Sequence, residues 1–129
     1  MKYLVMLGRI LFAAIFIMAA PNHFKAAEVG YAAAHNVPFP ELLVPVSGVI
    51  ALLGGLSIAT GFKAKWGGWL IVLFLVPVTL MMHNFWAETD PKAMGMQEIM
   101  FMKNMAMLGG ALLIAHFGAG PMSVDNGRG

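Results

Sequence analysis

Four apolar segments, Tyr3–Ala20, Leu42–Phe62, Trp66–Trp86 and Gln97–Phe117, take up most of the 129 residues of this chain. Each is 18 to 21 residues long. At about 1.5 Å of rise per residue such a segment spans roughly 27 to 32 Å, enough to cross a hydrocarbon layer of about 30 Å. With 60% hydrophobic and 11% charged residues, too few polar side chains remain to cover a water-soluble globule. The mean hydropathy of +0.78 agrees. The predicted fold is an all-α membrane protein, a four-transmembrane-helix bundle that forms a single domain over residues 1–129.

That length leaves no room for a separate soluble catalytic domain, so any chemistry is expected in or at the bilayer. The chain has no cysteine, which excludes a dithiol cycle, a thiolate nucleophile and iron–sulfur ligation from this chain alone. A redox role then requires a borrowed cofactor or a redox partner in the membrane or periplasm. A net charge of +2, scattered along the chain, argues against nucleic-acid binding. The first segment resembles a signal peptide in having Lys2 ahead of an apolar run that ends at Ala19, Ala20 and Pro21. Arg9 within the run, Met18 where a small residue is wanted, and the length of the run favour a retained helix.

Charge in the loops predicts orientation. With four crossings, Lys2, Lys63, Lys65 and Arg128 share one side, whereas the other two loops hold Lys25 and Lys92 against Glu28, Glu41, Glu88 and Asp90. The excess of basic residues places both termini in the cytoplasm of a bacterial inner membrane. In the first outward loop, Phe24, Ala27, Tyr31 and Ala34 recur near helical spacing before Asn36-Val37-Pro38-Phe39-Pro40, which predicts a short interfacial helix. Trp66, Trp69 and Trp86 fall near the ends of the third segment, as interfacial anchors do.

Helices in lipid are held by close backbone approach and interhelical hydrogen bonds rather than by the hydrophobic effect. Ser47, Ala51, Gly55 and Ala59 form a small-residue stripe on the second segment, with Gly48 and Gly54 beside it. Pro77 interrupts the third segment, and Gly109 and Gly110 open the fourth to near contact.

Polar residues inside such segments are costly and need partners or water. Arg9 shares a face of the first helix with Ala13, Phe16 and Ala20, and either snorkels to headgroups or holds an anionic or carbonyl-bearing ligand. On the fourth helix, Gln97, Asn104 and Ala111 align on one stripe and Met96, Lys103 and Gly110 on the next. His83 and Asn84 end the third segment at the same outward level. His83, Asn84, Glu98, Lys103 and Asn104, with His23 and Lys25, are therefore expected to line one outward-facing pocket or to form a network that only fixes packing.

The chain resembles the DoxX family of small four-helix membrane proteins. The resemblance is carried by Gly8-Arg9-Ile10-Leu11, by Tyr31 through Pro40, by Gly48 and Gly54-Gly55, by His83-Asn84-Phe85-Trp86, by Phe101-Met102-Lys103-Asn104 with Leu108-Gly109-Gly110, and by Gly120-Pro121-Met122-Ser123-Val124-Asp125. It implies at most a subunit of a membrane oxidoreductase, with a quinone-type head group or a small sulfur oxyanion near Arg9, His83, Asn84, Lys103 and Asn104. Donors of that kind suit carbonyl or anionic oxygens.

Rival readings stand beside it. One is a non-catalytic scaffold or stress-accessory protein. Another is Cu(I) binding by Met94, Met96, Met100, Met102, Met105 and Met107, for which the plain alternative is methionine as an apolar filler. A third is haem ligation by His23 and His83. Transport by so few helices would require a homo-oligomer.

Overall fold

The computed structural model describes residues 2–127, and Arg128, counted above among the loop charges, lies outside the described residues. The described residues are helical for most of their length: α1 (Lys2–Ala19), a 3-10 turn at Ala20–Phe24, α2 (Ala26–Ala34), α3 (Pro40–Thr60), α4 (Ala64–Met82), a second short turn at Phe85–Ala87, α5 (Pro91–Phe117) and α6 (Val124–Gly127). Four of these segments are long and apolar enough to cross a membrane, and α2 is the expected short helix between the first two crossings. Most side chains on all four long helices face outward, which is how a bundle solvated by lipid differs from a water-soluble one.

Local chemistry explains the boundaries. Proline occupies the first turn of α3 and of α5, where its missing N–H is no loss. The helix α5 begins at Pro91, six residues ahead of the predicted Gln97, with proline setting its first turn. At the end of α2, Asn36 takes φ 62°, its N–H donates to the Ala33 carbonyl and that of Val37 donates to the Ala32 carbonyl. This paired closure favours a residue that tolerates the left-handed conformation. The α3–α4 connection is equally tight, with Gly61 at φ 76° and both Gly61 and Phe62 donating to the Ser57 carbonyl. Trp66, Trp69 and Trp86 are all exposed near the ends of the α4 crossing, suited to headgroup level.

The helices pack in the order α1, α3, α4, α5. Glycines set the spacing where backbones come closest. A Cβ on Gly55 would lie 3.4 Å from the Ala13 carbonyl oxygen of α1, so the predicted stripe on α3 meets α1. Gly54 turns to α4, where its Cβ would meet Ile71 at 2.8 Å. Gly68 of α4 is tighter still, since its Cβ would stand 2.7 Å from the Ala115 nitrogen and 2.9 Å from the Ala111 oxygen. Gly110 receives the ring of Phe12 and so links α5 back to α1, whereas nothing approaches Gly109. Ala13, Phe16, Ala51, Ile58, Ile71, Leu75 and Ala111 form the buried centre.

The face of α1 drawn from spacing, Arg9, Ala13, Phe16 and Ala20, is the buried one. Its first member does not point at a ligand pocket. Arg9 lies at the end of the bundle that carries both termini and spends its guanidinium on backbone carbonyls. Nε donates to Ile58 at 3.0 Å, Nη1 to Ala119 at 2.9 Å and Pro121 at 3.0 Å, and Nη2 to Met122 at 2.9 Å and, more weakly, to Ala59 at 3.5 Å. The Ile58 and Ala59 oxygens belong to the last turn of α3, which lacks intrahelical donors, and the others belong to the segment after α5.

Candidate functional site

The end away from the termini holds a half-open cavity of about 870 Å³. Its walls come from α1, α3, α4 and α5, and the turn at Ala20–Phe24 together with α2 lies across it as a roof. Pro77 faces this space, and because proline has no N–H, the Leu73 carbonyl one turn earlier lacks its usual partner. The lining is apolar for the most part, with Phe16, Leu75, Val78 and Met107 typical. A few polar groups converge on it: His23, Glu28, Tyr31, Ser47, His83 and Asn104.

Most of these polar groups are oriented by a neighbour. His83 follows the last turn of α4, and its Nδ1 donates to Gln97 Oε1 at 2.8 Å. The Gln97 amide in turn donates to the Tyr31 hydroxyl at 3.0 Å. This chain of bonds ties the roof helix α2 to α4 and α5 at the rim. Tyr31 also stacks on His35, with ring centroids 4.3 Å apart. His23 donates from Nδ1 to the Ala19 carbonyl at 3.1 Å, and its ring meets Phe74 edge-on at 5.5 Å. Deeper in the bundle Asn104, 9% exposed, donates to the Thr79 hydroxyl, 0% exposed, at 3.0 Å. Among the described residues no buried side-chain polar atom is left without a partner.

Of the five residues expected to hold a ligand, His83 and Asn104 reach the cavity. Arg9 is at the other end of the bundle, and Asn84 supports the adjoining turn, accepting the Ala87 N–H through its carbonyl at 3.0 Å. Lys103 is exposed on the outer side of α5, in a shallow groove with Glu98. A stripe one residue away on the helical wheel separates Asn104, facing inward, from Lys103, facing out, and sequence periodicity alone does not say where the buried sector ends. Lys25 is exposed as well.

Tyr31, Ser47, Thr79 and Gln97 complete the polar set. Thr79 had a readable signal, being the single hydroxyl between Trp66 and Met82. Tyr31 had none beyond its place on α2. The methionines of α5 do not converge: Met94, Met96, Met100 and Met102 are exposed, while Met107 faces the cavity. Among the described residues no group of three or more His, Cys, Asp and Glu side chains is set to hold a metal ion.

These features define a multi-pass membrane protein, a four-crossing helical bundle with a half-open cavity beneath α2. The chain belongs to the SURF4 family, whose model matches residues 1–128. This corrects the DoxX resemblance. The glycine pairs, the buried arginine and the polar residues on which that resemblance rested are what any tightly packed four-helix membrane bundle needs, so they do not separate one such family from another. The oxidoreductase role implied by that resemblance loses its support with it.

Among relatives, the inner membrane protein YqjF of Escherichia coli is 31% identical over 94% of this chain and 88% of its own length. The inner membrane protein YphA of the same organism is 27% identical over 95% of this chain and 88% of its own. The ER-derived vesicles protein ERV29 of Saccharomyces cerevisiae is 30% identical over 60% of this chain, but the aligned part is 24% of the yeast protein. This chain thus spans about a quarter of that relative. No solved structure matches.

Proposed function

We propose that the protein is a single-domain inner-membrane binding protein that holds a neutral lipophilic molecule with a carbonyl-bearing head, of the quinone type, in the cavity under α2. The single observation that carries this reading is the cavity itself, about 870 Å³, apolar along its length and polar at its rim through His83, Gln97 and Tyr31. That volume falls within the roughly 300 to 1,000 Å³ of small-molecule sites, which are likewise apolar with a few placed polar groups. The head group would meet the rim and Asn104, and its tail would lie along Phe16, Leu75 and Val78.

The charge distribution narrows the ligand. Neither basic residue suited to an anion is in the cavity: Arg9 is occupied by backbone oxygens and Lys103 faces outward. Glu28 borders the cavity and would repel an anion. A sulfur oxyanion therefore fits poorly and a neutral carbonyl fits well. The two bacterial relatives named as inner membrane proteins support the membrane assignment. The basic residues Lys2, Lys63 and Lys65 beside the termini support a cytoplasmic location for that end, which turns the cavity towards the periplasm.

Purified protein titrated with a short-chain quinone and, separately, with thiosulfate tests the proposal. The quinone should raise the melting temperature, in keeping with about 2.7 kcal/mol of stabilisation at a hundredfold excess over Kd. Thiosulfate should leave it unchanged. Ser47→Trp, which fills the cavity, should abolish the quinone effect in a protein that still unfolds cooperatively. A melting curve indifferent to quinone, or equally shifted in Ser47→Trp, overturns the reading.

A further inference from the structure

The outer face of α5 has no neighbour in the bundle, yet it carries charge. Glu98 and Lys103 are exposed, and among the described residues neither makes a hydrogen bond or an ion pair. Their depth follows from an aromatic marker. The Trp86 ring lies against Phe101 with centroids 5.8 Å apart, so an interfacial tryptophan is level with Phe101. Lys103, two residues further along α5, sits about 3 Å deeper, and Glu98 about 4.5 Å shallower. An acid and a base thus straddle the membrane boundary on one lipid-facing helix.

Between the two charges runs a shallow groove floored by Gly95, Ile99, Met102 and Ala106. Their spacing of four, three and four residues is the repeat of a helix seam rather than of a lone surface. At 100° per residue Glu98 and Lys103 fall on opposite flanks of this seam, about 140° apart. The helix cannot pair them with each other across its own groove. A second helix lying in the groove can.

We propose that this face is the interface between two copies of the chain, closed by reciprocal Glu98–Lys103 ion pairs. Both copies insert with the same topology, so a twofold axis along the membrane normal brings their α5 helices together in parallel. In a parallel pair, the flank that carries Glu98 on one helix faces the flank that carries Lys103 on the other. The five-residue offset between them matches the spacing at which flanking charges meet across parallel two-stranded coils. The complementarity is self-complementarity, which a second copy satisfies and which an unrelated helix or an anionic headgroup does not. Gly95 and Ala106 leave room for the backbones to approach. The cavity lies on the inward side of α5, so this interface stands or falls independently of the ligand proposal.

The absence of native cysteine makes the test direct. Ala106→Cys should form a disulfide-linked dimer when native membranes are oxidised, and Leu53→Cys, on the exposed side of α3, should remain monomeric. Adding Glu98→Lys or Lys103→Glu to the Ala106→Cys chain should each lower the dimer fraction about tenfold. Co-expression of these two differently tagged chains should restore it in mixed dimers, because each new charge then faces its opposite. Equal crosslinking at positions 53 and 106, or single charge changes without effect, overturns the proposal. So does a failure of the mixed pair to recover when both chains melt at the wild-type temperature, and in that case an anionic lipid or another protein covers the groove.

Discussion

Arg9 shows how one residue carries a structural role across the molecule. A guanidinium inside a membrane protein is tolerated when its five N–H donors are answered, and here carbonyls from two separated parts of the chain answer them. Lysine has a single nitrogen and cannot reach oxygens spread over Ile58, Ala119 and Met122 at once. Arg9→Lys is therefore expected to lower stability by about 1 to 2 kcal/mol, and Arg9→Leu by more than about 2 kcal/mol, because buried carbonyls are left without donors. Thermal unfolding in detergent checks the order. A leucine variant as stable as the wild type would show that the carbonyls find water instead. Neither change should abolish the proposed quinone binding, since the cavity is at the other end.

Between elements, close approach is what holds the bundle together, and the glycines differ sharply in what they face. Gly68 is pressed against the backbone of α5, and backbone cannot rotate aside as a side chain can. Gly68→Ala is expected to force α4 and α5 apart and to cost about 1 to 3 kcal/mol as overpacking. Gly8→Ala is the matched control, because a Cβ there meets nothing. It should be neutral or stabilising by up to about 1 kcal/mol through helix propensity. Chemical denaturation of both variants reads the contrast. The small-residue stripe of α3 was legible as a seam from its four-residue repeat. Its partner was not, because Gly54 and Gly55 are adjacent in sequence and serve different helices, α4 and α1.

Across the whole molecule, the segment after α5 closes the terminal end. Asp125 accepts the N–H groups of Lys63 at 2.7 Å and Ala64 at 2.9 Å, and its own N–H donates to Gly61 at 2.9 Å. A carboxylate thus caps the first turn of α4, where free N–H groups and the helix dipole favour negative charge. The same tail supplies three of the oxygens bound by Arg9, so α1, the α3–α4 turn and the chain after α5 form one latch. Asp125→Ala should cost about 1 kcal/mol and speed amide exchange at Lys63 and Ala64 while leaving the Tyr31–Gln97–His83 rim intact. Hydrogen exchange that rises at the rim as well would show the two ends to be coupled.

Composition and periodicity determined the four crossings, the short helix over the first loop and the inward face of α1, because hydropathy and helical repeat are properties of neighbouring residues. Of the five polar residues they put forward for a ligand, His83 and Asn104 reach the cavity, whereas Arg9, Asn84 and Lys103 do not. Which of these meet was decided only by the tertiary structure. Arg9 reaches Ile58, 49 residues away, and Met122, 113 residues away, and so leaves the site to which its chemistry had seemed to assign it. Lys103 and Asn104 are adjacent in the chain, yet a turn of about 100° puts one on the outer surface of the bundle and the other against Thr79. The choice between them depends on how α5 is rotated against α4, which is set by the close fit of Gly68 to Ala111 and Ala115, and no local pattern contains that contact.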